Sequence, residues 1–109
     1  MKNTISEAQK QFSVIKQLLA QPVPHNEDYF THLSIASEEA YVLMNQGMCT
    51  NVSVCHECAG HRDFIRSMLE ILGELEINAT SAQRHTQKLT EYSEHINKIL
   101  KNIALVLAS

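Results

Sequence analysis

From Ala82 to Val106 the chain repeats a single pattern, an apolar or ring-bearing residue at alternating steps of three and four. Ala82, His85, Leu89, Tyr92, Ile96, Ile99, Ile103 and Val106 all fall on it. An α-helix completes a turn in 3.6 residues, so this spacing draws one continuous stripe along one helical face. A strand, with its period of two, has no use for it. A stripe that long is stable only when other helices cover it.

The rest of the sequence supplies those helices. Ile5, Ala8, Phe12, Ile15 and Leu19 carry the same spacing, widened by Val14 and Leu18, over an expected helix from about Thr4 to Gln21. Thr4 followed by Glu7 has the form of a capping box, and Pro22 disfavours helix at the residue before it. Asn26 is a suitable N-cap for the next helix, with Glu27 and Asp28 in the first turn where the helix dipole favours them. Tyr29, Leu33, Ala36, Ala40 and Leu43 form its seam, flanked by Phe30, Val42 and Met44, and Gly47 suits the position after its end. The connection from Gly47 to Ser53 carries Cys49. A third helix starts near Ser53 as N-cap, with Val54, Cys58, His61, Ile65, Met68, Leu72 and Leu75 on its stripe. Gly73 within it is expected to mark close packing or an early end. The fourth helix is expected to start around Thr80.

These segments read as an all-α fold, an antiparallel up-down-up-down four-helix bundle, forming a single domain over residues 1–109. The competing architecture is a helical hairpin unit that completes its core only as a dimer. In the bundle, positions on the third and fourth helices pair when their numbers add to roughly 157, given a turn near Asn78 and a constant rise per residue. His95 then stands beside Arg62, off the seam. His85 lies at the level of Leu72 and Cys58 at that of Ile99, roughly 20 Å apart, so those two cannot share a ligand.

Composition excludes several classes. With 3 Gly, 2 Pro and 44% apolar residues, the chain is neither disordered nor collagen-like. The net charge is −3 and no basic block stands out, which argues against nucleic acid as a partner. No run reaches the ~18 apolar residues of a membrane span, and the N-terminus MKNTISEAQKQF lacks the apolar core of a signal peptide. The 3 cysteines are an odd count, which fits reduced thiols better than a disulfide framework. A cytoplasmic location is the expectation.

The densest chemistry is Val54-Cys55-His56-Glu57-Cys58-Ala59-Gly60-His61. Cys55 and Cys58, at i and i+3, can face one point near a helix start. With Cys49 from the preceding loop and His61 further along, they make a Cys-x5-Cys-x2-Cys-x2-His set for tetrahedral zinc. The set crowds onto one helix start, whereas zinc modules usually bring two separate ligand pairs. A thiol pair at a helix N-terminus also suits redox sensing, because unpaired backbone N–H groups lower the pKa of the first thiol. The alternative is burial: Cys58 packs as a small hydrophobe, and His61 bonds a carbonyl or a side chain of the fourth helix.

Other chemistries fit worse. Thioether haem attachment requires His directly after the second cysteine, where this chain has Ala59. Diiron bundles require Glu-x2-His, and Glu57 stands four residues before His61. No phosphate loop or nucleophile elbow is present. His32 with His85 is a second candidate for a metal or acid/base site, weighed against a plain solvent-reaching histidine.

The expected function is therefore that of a helical-bundle binding or interaction module with a protein partner or a second copy of itself; an enzyme built in the bundle interior is a further rival. The apolar end at Ile103, Leu105, Val106 and Leu107 is the reason for expecting self-association; the alternative role for Leu105 and Leu107 is to cover the ends of the first two helices. The rival function is a zinc-binding or thiol redox-sensing protein using Cys49, Cys55, Cys58 and His61.

Overall fold

The connections at Asn26 and at Asn78 carry the chemistry that stops one helix and starts the next. The computed structural model describes the backbone of residues 2–22, 25–46 and 52–108, and their side chains apart from those of 2–3, 52–59 and 106. Helix α1 spans Lys2–Leu19, α2 Glu27–Gln46, α3 Val52–Ile77 and α4 Thr86–Ala108, with a 3-10 segment, Ala79–His85, leading into α4. Among the described residues there is no strand.

Helix α1 ends one turn before Pro22, where the Ala20 N–H reaches the Lys16 carbonyl and the Gln21 N–H the Leu18 carbonyl. It opens at Lys2, so Thr4 lies inside the helix and not at its cap. Asn26 does cap α2: its Oδ1 accepts the Tyr29 N–H at 2.9 Å, one of the four donors a helix start leaves unpaired. Helix α3 begins at Val52, which puts Ser53 inside it as its second residue and not at its cap.

The helices form a four-helix bundle in cyclic order. α1 packs against α2 and α4, α2 against α3, and α3 against α4. The bundle measures 42 × 20 × 19 Å, its long dimension close to the length of the 26-residue α3 at 1.5 Å per residue. The stripes meet along the axis. Ile5, Ala8, Phe12 and Ile15 are buried, as are Leu33, Ala36, Ala40 and Leu43 of α2, Ile65, Met68, Leu72 and Leu75 of α3, and Tyr92, Ile96, Ile99 and Ile103 of α4. Burying each large side chain contributes about 1.5–3 kcal/mol. Leu107 packs against this core while Leu105 is exposed.

Two further expectations need correction. The fourth α-helix begins at Thr86, later than Thr80, because the turn is held from outside. Glu27 of α2 accepts the Ala79 N–H at 2.7 Å. Asn78 Oδ1 accepts from the Thr80 N–H at 3.2 Å and from its hydroxyl at 2.6 Å. The chain then coils in the tighter 3-10 form, as in the Ser81 N–H to Asn78 carbonyl bond of 3.1 Å, which turns Ala79 and Ser81 inward. Glu74 braces the other side, accepting from Arg84 Nη2 at 2.6 Å and standing 3.1 Å from His85 Nε2. The His85 hydrogen bond chiefly, opposed by desolvation and helped by the smaller effects of the Arg84 and His85 charges, holds the Glu74 carboxyl below its usual range.

The second correction concerns Gly73. The helix runs through it to Ile77, and a methyl group there would meet nothing within 4 Å. No close approach requires the glycine. Tyr92 keeps its hydroxyl inside the bundle. It is buried and donates to Ser37 Oγ at 2.6 Å, across the diagonal between α4 and α2.

Candidate functional site

The imidazole of His61 is placed by the α3 stripe, one turn above Ile65, and is half-buried. Across from it α4 brings His95. Their Nδ1 atoms stand 2.7 Å apart, with the ring planes nearly perpendicular at 85°. One nitrogen donates and the other accepts, so the pair holds a single proton between them and at least one ring has an unprotonated Nδ1. Phe64 stacks on His95 at 4.1 Å, and the Lys88 ammonium lies 5.5 Å from the other ring of that stack. The pKa of His95 is lowered, chiefly by burial and then by the charge of Lys98, with Glu91 and Glu94 opposing and Lys88 adding a little. A neutral imidazole is the form that accepts a hydrogen bond or binds a metal.

Two imidazoles make half of a tetrahedral zinc shell. Of the expected ligands only His61 lies among the described side chains. Cys49 lies outside the described residues, and so do the side chains of Cys55 and Cys58, whose backbone belongs to the first turns of α3. Among the described residues no third His, Cys, Asp or Glu joins His61 and His95. His61 thus takes the helix-four partner foreseen for it, and the inter-helix register is close to the expected one. His61 meets His95 and Phe64 meets Tyr92, 34 and 28 positions on. His95 itself was overlooked as a site residue because it stands one position off the α4 stripe.

A second concave region lies at the opposite end, where α1, α2 and the start of α4 converge. It is a cleft of about 460 Å³ lined by Leu19, His25, Tyr29, Phe30, Thr86 and Leu89, among others. Its aromatic wall is fixed. His25 stacks on Tyr29 with centroids 3.8 Å apart, and Phe30 meets Tyr29 edge-on at 4.9 Å. His25 Nε2 lies 2.9 Å from the Gln21 carbonyl, and the Tyr29 hydroxyl donates to the Leu18 carbonyl at 2.6 Å. Burial pushes that hydroxyl's pKa up to about 12, so it stays a donor. Thr86 and Thr90 spend their hydroxyl protons on backbone carbonyls. The cleft therefore offers ring faces and acceptor lone pairs. His85 meets Glu74 and His32 is exposed; among the described residues no group of three ligating side chains includes them.

No family model, no curated protein and no solved structure matches this chain. No helix among the described residues is long and apolar enough to cross a membrane.

Proposed function

We propose that this protein is an interaction module, a helical bundle that presents its surface to another protein or to a second copy of itself. Apolar side chains turned outward carry the reading: Ile35 is 62% exposed, Leu105 71% and Ile77 85%, although each helix already buries a full stripe. Outward-facing apolar residues are what a protein partner covers. Sedimentation across concentration, together with affinity capture by wild type, Ile35→Asp and Leu105→Glu, tests it. The expected result is a partner, another protein or a second copy, whose retention falls at least about tenfold in one of the variants. A wild type that is monomeric at about 1 mM, and that captures nothing the two variants do not also capture, overturns it.

The facing imidazoles of His61 and His95 support a second reading, a metal or thiol centre built from Cys49, Cys55, Cys58 and His61, with His95 as an added ligand. Zinc analysis of wild type, Cys58→Ala and His95→Ala, purified without chelator, decides between them. About one equivalent that is lost in both variants supports the centre. Retention in His95→Ala removes that residue from the shell, and no zinc in the wild type ends the zinc reading. For the thiol form, Cys55 should alkylate faster than Cys58 near neutral pH.

A further inference from the structure

Charge is divided between the two sides of the bundle. Helix α2 carries Glu27, Asp28, Glu38 and Glu39 and neither lysine nor arginine. On the other side, lysines 10 and 16 of α1 and 88, 98 and 101 of α4 outnumber Glu7, Glu91 and Glu94. Apolar surface follows the same division. On α2, Ile35 and Val42 are 62% and 42% exposed, seven residues apart on the outward face, with Glu38 and Glu39 between them. Between α1 and α4 runs a shallow groove of about 540 Å³, lined by Leu100 and Ala104 together with Lys16, Asn97 and Lys101. Among the described residues no ion pair engages Glu38, Glu39, Lys16 or Lys101.

We infer that the Ile35–Val42 ridge of one copy of this chain seats in the α1–α4 groove of a second copy. The inference rests on the interaction-module reading and names its partner. Ridge and groove match in length, since Ile35 to Val42 and Asn97 to Ala104 each span two helical turns, about 10 Å. Ile35 and Val42 cover Leu100 and Ala104, while the two glutamates reach the two lysines. Rim charges of this kind set register and encounter rate, and the apolar strip supplies the burial. One ridge in one groove covers less than the roughly 1,200 Å² of a stable complex, so the contact is weak and depends on concentration. α2 and α4 occupy diagonal corners of the bundle, so ridge and groove belong to different sides of the molecule. The contact is therefore heterologous, each copy offering one surface to each neighbour.

Sedimentation equilibrium of the full chain tests this with two charge-swapped proteins, Glu38→Lys/Glu39→Lys and Lys16→Glu/Lys101→Glu. Glu70→Lys/Glu76→Lys on α3 is the control for net charge. Wild type should associate, with a dissociation constant that rises at least about tenfold from about 0.05 M to about 0.5 M NaCl. Each swap should lose the association, an equimolar mixture of the two swaps should regain it, and the control should keep it. A mixture that stays monomeric, or swaps that associate as wild type does, overturns the inference. Association that survives both swaps but is lost in Leu105→Glu overturns this surface and leaves the interaction-module reading standing. A wild type that is monomeric at about 1 mM, yet captures a different protein through Ile35 or Leu105, does the same.

Discussion

Ser37 is the residue whose role is most altered by folding. Its hydroxyl donates to the Leu33 carbonyl at 2.7 Å and accepts from Tyr92 at 2.6 Å, and both side chains are fully buried. Burial pushes the Tyr92 hydroxyl's pKa well above its usual value, so it remains a donor. Tyr92→Phe removes one hydrogen bond and should cost about 1 kcal/mol, whereas Ser37→Ala strands a buried tyrosine hydroxyl and should cost about 2 kcal/mol. The double substitution should cost less than the two single effects together. Urea denaturation of the four proteins gives the cycle, and simple additivity would refute the coupling. His95 predicts a pH effect. Its pKa is lowered in the folded chain by burial, then by Lys98 and more weakly by Lys88, against Glu91 and Glu94, and its ring faces His61. As pH falls, the unfolded chain takes up this proton first. Stability is therefore complete above the ordinary imidazole value of about 6.5 and declines as pH drops below it. The melting temperature of wild type should fall between about pH 7.5 and pH 5.5, and His95→Gln should flatten that slope. Parallel curves would place the effect elsewhere.

At the scale of the element, Gly73 is a removable weakness. It lies within α3, and a Cβ there would meet no neighbour within 4 Å. Gly73→Ala should stabilise the protein by about 0.5–1 kcal/mol, read as a higher denaturation midpoint at unchanged slope. A lower midpoint would mean the glycine has a packing role after all. The helices themselves were legible in the sequence because period and burial agree, from Ile5 to Ile15 and from Ile65 to Leu75. The start of α4 was not, since the 3-10 segment depends on a bond from Glu27, 52 positions away, and no local preference encodes such a partner. Ser37 could have been found. With Phe30 and Met44 it recurs at seven-residue steps, all three buried. The site was half legible: the stripe marks His61, but its partner His95 stands off the opposing stripe. The sequence placed His95 one residue away, beside Arg62.

Across the whole molecule, stability and surface are separable on neighbouring residues of α4. Ile103 is fully buried and Leu105 is 71% exposed. Ile103→Ala should cost about 2–5 kcal/mol, while Leu105→Glu should stay within about 0.5 kcal/mol of wild type. A large loss in Leu105→Glu measured at dilution would show that the exposed leucine supports the fold itself. The Glu27–Ala79 bond at 2.7 Å bears on time as well as on shape. Two helical hairpins can form from contacts near in sequence, but this bond closes only once the start of α2 has met the α3–α4 turn. The expectation is that it forms late in folding and is released early in unfolding. Glu27→Ala should accelerate unfolding by about fivefold or more and leave the refolding limb of the chevron almost unmoved. A slowed refolding limb would instead put this bond in the transition state. With the refolding limb unmoved, the lifetime of the native bundle is governed at its turn end, by one carboxylate holding one backbone N–H.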